Sequence, residues 1–399
     1  MKRYSLTILL VLFAAIGIGA YYAYAAMDRL PEFRLAAVEG DAALSGDIEL
    51  SGSYGGRMRS HFLNVTEEGS EYYSRQSFYE KHFGDTRGWT ASQDGLAQLL
   101  REHRDFMRGK RFADSFYKDE QWLIYAAAPS QDSNVLEVEL LDLASGQKKR
   151  FEADLPEQQN LSELRPVEIQ RVGNELHMVV TYYMGDHGKR PAIDYFLCVM
   201  DISNGALIRQ EKLDFGIAVK ENVNLSVNTV THESIGSGDD VVFMVSEEEY
   251  APDGRTEQLS RRFYTYYTYS FKSGELSELP VEFPDNDHYS LRLSGDRLFL
   301  LLHKEQQFEL RQYNVHSGEL LASVSKTVKE LGGDTLYTTL IKDRRIYALL
   351  HRDGIPQAVI LDAADGTLLY RGEAVYAGPA EEAEEELKQV RLLNLYLRN

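Results

Sequence analysis

Residues Ala358–Tyr370 read AVILDAADGTLLY, and this stretch decides the fold. An apolar run reaches Asp362, crosses Ala363–Asp365 to Gly366, and turns apolar again. Two strand-like runs joined through a turn former and a glycine read as a β-hairpin, because glycine takes a positive φ without steric cost. The same phrase recurs as LDLASGQKK (Leu141–Lys149), MDISNGALI (Met200–Ile208), YSFKSGELS (Tyr269–Ser277) and YNVHSGELL (Tyr313–Leu321). The glycines at 146, 205, 274, 318 and 366 are separated by 59, 69, 44 and 48 residues. Five corners at comparable spacing are an internal repeat.

A second feature lies upstream of each corner. It reads KDEQWLIYAA (Lys118–Ala127), GNELHMVVTYY (Gly173–Tyr183), GDDVVFMVSEE (Gly238–Glu248), GDRLFLLLH (Gly295–His303) and KDRRIYALLH (Lys342–His351). Each starts at a turn and runs on as a buried type of strand. Alternating segments such as Tyr289–Leu293 and Leu336–Ile341 precede them, as strands with one buried face do. The repeating unit is therefore four strands, A to D, with short A–B and C–D turns and a variable B–C loop. This predicts an all-β fold: a single β-propeller of four-stranded antiparallel blades, six in number with seven as the second count, after an N-terminal apolar helix. An array of two-sheet sandwiches is the alternative.

The predicted organisation has four parts. Residues 1–27 are a signal anchor or signal peptide, and 28–110 a degenerate first blade with a helical insertion. Residues 111–378 carry the five clear blades, and 379–399 an acidic segment and a closing strand. The degenerate blade comprises Asp47–Tyr54 and Ser60–Ser74, followed by a helix over Gln93–Met107. The alternating stretch Val390–Asn399 is expected to complete the first blade and so remove two open sheet edges.

The C–turn–D phrases, best seen in AVILDAADGTLLY and FLCVMDISNGALI, resemble the repeats of quinoprotein-like propellers, including non-catalytic scaffold propellers of bacterial envelopes. The resemblance implies fold and an envelope address and carries no activity. It departs from the family where the repeat ends in Trp: Tyr370 and Gln210 stand there instead. Quinone-dependent members use a metal, a stacking Trp and often a vicinal Cys pair, whereas this chain has only Trp89, Trp122 and Cys198. No cofactor and no metal are expected.

Lys2 and Arg3 precede an uncharged run from Tyr4 to Met27, the pattern of a membrane-targeting segment. Two outcomes stay open. The run is long enough to be retained as an anchor, with Tyr21, Tyr22 and Tyr24 at the interface; Ala23-Tyr24-Ala25 also spells a cleavage site that would release the body. Either way the body is placed outside the cytoplasm, at the cell membrane by a single pass or secreted. The 62 acidic against 43 basic residues give a net charge of -19, which argues against nucleic acid as a partner.

Candidate site residues come from topology. B–C loops open on one rim of a propeller, where function gathers on a rigid scaffold. Two are long: Met184–Ile193, with Asp186 and His187, and Tyr250–Arg261, with Arg255. His303 and His351 end strand B in successive repeats, with Arg352 and Asp353 beside the latter. They are expected to form a polar ring for a ligand or partner, against the plainer reading that strand ends turn polar at water. Asp285 and Asp287 are spaced as calcium ligands but lack the other donors. No catalytic motif is found. The expected function is a membrane-anchored, extracytoplasmic protein-interaction or sensing scaffold whose partner is an envelope or membrane protein. An extracellular glycan-directed hydrolase or lyase, with carboxylates on the loop rim, is the alternative; a small-ligand receptor is a third.

Overall fold

The computed structural model describes residues 10–19, 30–56, 59–76, 96–110, 112, 113–130, 133–156, 161–184, 192–217, 223–230, 232, 235–236, 238–250, 259–281, 289–304 and 306–398. The chain opens with β1 (Phe33–Gly40), β2 (Ile48–Gly55), β3 (Ser60–Val65) and β4 (Ser70–Tyr72). Four meandering sheets follow. The first is β5 (Phe116–Lys118), β6 (Trp122–Ala127), β7 (Val135–Asp142) and β8 (Lys148–Asp154). The second is β9 (Leu161–Val172), β10 (Glu175–Met184), β11 (Ala192–Asp201) and β12 (Leu207–Lys212). The third is β13 (Val223–Thr229), β14 (Asp240–Tyr250), β15 (Leu259–Ser270) and β16 (Glu275–Leu279). The fourth is β17 (Tyr289–Ser294), β18 (Arg297–Lys304), β19 (Gln307–Asn314) and β20 (Leu320–Thr327). The chain ends with β21 (Thr335–Lys342), β22 (Arg345–Arg352), β23 (Ile355–Asp362), β24 (Leu368–Tyr376) and β25 (Val390–Leu397). In all there are six antiparallel sheets among the described residues, five of four strands and one of five.

The corner glycines explain why the hairpins form. At residues 146, 205, 274, 318 and 366 the φ values are 71, 74, 74, 69 and 73°, a left-handed geometry that costs an ordinary residue about 1–2 kcal/mol. The residue four before the glycine holds the corner from below. Asp142 Oδ1 accepts from the Ala144 and Ser145 N–H groups, and the Gly146 N–H donates to the Asp142 carbonyl at 2.8 Å. Asn314 accepts the same two N–H groups at its corner, from His316 and Ser317, while Asp201 and Asp362 accept one each, from Ser203 and Ala364. The Ser145 N–H holds the Asp142 carboxyl below the usual carboxylate range, and the Ser203 hydroxyl, followed by the Ser203 N–H, does so for Asp201.

Two compact units are resolved by their contacts. One is Met1–Thr86, Lys304–Phe308 and Ser325–Arg398; the other is Arg87–His303 and Glu309–Val324 with Asn399. Within the second, sheets pack face to face in chain order. On β10, Met178, Val180 and Tyr182 meet the first sheet's Ile124, Val138 and Leu140, while Val179 turns to the third sheet's Val241 and Phe243. On β14, Val241, Phe243 and Val245 face the second sheet, and Val242 faces the fourth sheet's Leu298 and Leu300. Both faces of such a sheet are dry, so its central strand reads as an unbroken apolar run instead of an alternation.

In the first unit, β21–β24 form a sheet with β1 on its outer edge, because Phe33–Gly40 pairs with β24 rather than with its neighbour β2. The other sheet runs β25-β2-β3-β4, so the C-terminal strand pairs with β2. Phe33, Leu50, Leu63, Tyr347, Ile360 and Leu392 share one core between these sheets. The acidic stretch before β25 is a short helix, Ala383–Lys388. The Tyr54 hydroxyl donates to Glu386 at 2.7 Å and the Tyr376 hydroxyl to Glu382 at 3.0 Å. Residues 10–19 are helical and solvent-exposed, and no helix among the described residues is long and apolar enough to cross a membrane. The rest of the leader, with the cleavage spelling at 23–25, lies outside the described residues.

Candidate functional site

Asp186, His187 and Arg255, and the calcium-spaced pair Asp285 and Asp287, lie outside the described residues. His303 sits near the end of β18 in the second unit, half-buried and engaged with its surroundings. His351, Arg352 and Asp353 stand together at one hairpin end in the first unit. His351 is 8% exposed; its Nε2–H donates to the Leu392 carbonyl at 2.8 Å, and its ring lies 4.2 Å from that of Tyr337. Burial pushes its pKa below the usual histidine value. It fastens β22 to the C-terminal strand. Asp353 takes φ 50° in the tight turn, its N–H donating to Asp334 at 2.7 Å, and Arg352 is exposed.

The long B–C hairpins are themselves a structural feature. β10 has 10 residues and β14 has 11, against 8 in β18 and β22. Their ladders stay paired to the end, at Met184↔Ala192 and Tyr250↔Leu259. At about 3.4 Å per residue the β14–β15 hairpin is about 10 Å longer than the short ones, and β10–β11 about 7 Å longer.

A second group of polar side chains gathers at the first strands of the sheets in the second unit. The A–B turns elsewhere are tight, such as Gly173-Asn174, Gly295-Asp296 and Asp343-Arg344, but β13 and β14 are joined by residues 230–239. His232 in this connection brings Nε2 to 3.6 Å from Oε2 of Glu168 on β9, and both side chains are 13% exposed. Gln170, two residues along β9, donates to Glu168 Oε1 at 2.8 Å and to the Gly236 carbonyl at 3.2 Å. Its Oε1 accepts from the Gly238 N–H at 3.1 Å. Burial pushes the Glu168 carboxyl upward; His232 and Gln170 pull it back, and the charge of Asp114 adds to the rise. Ion pairs flank it: Arg165–Asp114 at 2.7 Å and Arg171–Asp119 at 2.8 Å. Buried charge held among such partners marks a candidate site on physical grounds. Sequence reasoning passed over these residues, although the stretch THESIGSGDD was legible as an A–B connection too long for its repeat.

Other reactive groups are committed to structure. Burial pushes the Cys198 thiol up to about 12, so at neutral pH it is a small hydrophobe. Among the described residues, no three His, Cys, Asp or Glu side chains are grouped to hold a metal ion.

No family model and no curated protein matches the chain. Solved structures do. A lignostilbene dioxygenase from Pseudomonas brassicacearum aligns at 12% identity and TM-score 0.41, over 86% of this chain and 93% of that one. The β-propeller domain of the Trilobed protease from Pyrococcus furiosus aligns at 12% identity and TM-score 0.32, over 86% of each chain. The polysaccharide lyase Uly1 aligns at 12% identity and TM-score 0.36, over 66% of this chain and 57% of its own. Likenesses this distant transfer no activity.

Proposed function

We propose that the six sheets are blades of one β-propeller of the quinoprotein-like type. In this reading the protein is a binding scaffold outside the cytoplasm, held at the membrane by its N-terminal apolar segment. Sheets of consecutive strands, packed face to face in each unit, and the pairing of β25 with β2 support the fold. One observation carries the function: the β10–β11 and β14–β15 hairpins remain fully paired beyond the length of the others. Paired strands keep a loop at a fixed distance from the core, as presentation to a large partner requires and a recessed small-molecule pocket does not. The partner is an envelope or membrane protein, met by the loops that carry Asp186, His187 and Arg255. A glycan-directed enzyme, the alternative, needs two facing carboxylates free to act.

The test trims both hairpins to the 8-residue strand length and closes each with Asn-Gly, the two-residue turn that suits a hairpin. Full-length and trimmed proteins are then used to capture partners from solubilised membranes. The expected result is one defined protein retained by the full chain and lost at least tenfold by the trimmed chain, with melting temperature kept. Equal capture by both, or no capture in any growth condition, overturns the reading.

A further inference from the structure

Two short helices, Leu96–Glu102 and Arg104–Met107, precede the first sheet and break at His103. One side of the pair is fixed: Leu96, Leu99, Phe106 and Met107 are buried with Phe116, Leu123 and Leu141 of that sheet. Beside this contact the helices and the first glycine corner do not close on each other. A cleft of about 470 Å³ remains, with residues 101–106 on one wall and residues 141–143, Gly146 and Lys148 on the other. Sites for small molecules run from about 300 to 1,000 Å³, so the volume suits one. Phe106 and Leu141, 2% and 8% exposed, belong both to the packed cluster and to the lining, which gives the cleft an apolar floor.

The charges of the lining do not cancel. Glu102 is held by Gln98 at 2.6 Å and by Lys118 at 3.1 Å, and Asp142 accepts the N–H groups of its own corner. His103 Nε2 lies 3.7 Å from Glu102, and Arg101 is engaged elsewhere. Arg104 and Lys148 have no carboxylate partner among the described residues, and Asp105 has no cation. Two unanswered positive charges thus stand against one negative, in a chain whose net charge is -19. Lys149, the next residue along β8, instead covers the Trp122 ring at 5.6 Å, because neighbours on a strand point to opposite faces.

We propose that this cleft binds a small organic monoanion, a carboxylate carried on an apolar body. The Arg104 guanidinium offers a planar fork to the two carboxylate oxygens, and Lys148 supplies a point charge from the facing wall. The apolar body covers Phe106, Leu141 and Leu143 and takes their surface out of water. Asp105 limits the excess to one positive charge, so an anion of higher charge meets repulsion that a monoanion does not. A bare inorganic anion leaves the floor wet and gains only the exposed charge contacts, which water screens. The site does not depend on a partner at the long hairpins.

Calorimetric titration of the full chain with phenylacetate and with octanoate tests the site. Saturable binding is expected for at least one of these acids. It should be at least tenfold tighter than for 2-phenylethanol, which lacks the charge, and for inorganic phosphate, which lacks the apolar body. Arg104→Gln and Lys148→Gln are each expected to weaken it at least fivefold with the melting temperature kept, and Lys149→Gln to leave it unchanged. No saturable binding of either acid, or equal binding of the alcohol or of phosphate, overturns the proposal whatever the variants do. Unchanged binding in Arg104→Gln or Lys148→Gln overturns it too, as does an equal loss in Lys149→Gln, which would reduce the effect to overall charge.

Discussion

Five corners share one backbone geometry yet differ in what surrounds the glycine, and this separates two costs. A Cβ at Gly146 meets nothing within 4 Å, so Gly146→Ala is expected to destabilise by about 1–2 kcal/mol, the left-handed strain alone. At Gly205 a Cβ would collide with the Phe151 ring, so Gly205→Ala should add roughly 1–3 kcal/mol of overpacking. Urea unfolding of the two variants checks the order; equal losses would show that the ring yields freely. His351 offers a pH test. Its folded pKa is depressed by burial, so the neutral ring's contribution is intact above the ordinary histidine value and fades as pH falls through and below it. Between pH 7 and pH 5 the native protein should lose more stability than His351→Gln. His177, shifted the same way, leaves a residual slope in the variant. A variant slope as steep as the native one would contradict the assignment.

Strands at the two chain ends hold the first unit together in opposite senses. β1 goes forward to the sheet of β21–β24, and β25 comes back to the sheet of β2–β4. Val390, Leu392 and Leu395 are buried by the second exchange. At roughly 1.5–3 kcal/mol per fully buried side chain, the three are worth as much as the whole stability of a typical domain. Deleting residues 379–399 is therefore expected to give a chain that aggregates or lacks cooperative melting, and a peptide of residues 379–399 added in trans should restore it. A truncated chain with a native melting curve would refute this. The sequence displayed some of these elements better than others. Corner glycines were legible because a positive φ leaves few substitutes, and the doubly buried strands because nothing polar survives there. β1 was not legible: FRLAAVEG has no corner of its own, since its partner lies more than 300 residues away. The role of the acidic segment was not legible either, because nothing in EEAEEELK shows that Glu382 and Glu386 meet tyrosines on two sheets.

For the molecule as a whole, pattern reaches fold and falls short of site. Repeats fix strand order because each blade-like sheet obeys the same burial rule. A site depends on which side chains meet across distant segments, and Glu168 and His232 are 64 positions apart with no motif between them. His351 shows the reverse: a strand-end histidine on a supposed ligand rim that in the structure ties two strands. What the sequence did mark, and the ladders extend, is the pair of long hairpins. With a net charge of -19 the body resists nonspecific anionic surfaces, so capture by these arms should be selective. The most direct measurement is crosslinking in living cells from a photoreactive residue placed at 187 or 255, compared with one at Ser145 in a short corner. The account predicts a discrete adduct with one membrane or envelope protein from both hairpin positions and none from the corner. Adducts of equal yield from all three positions, or none from any, would contradict it.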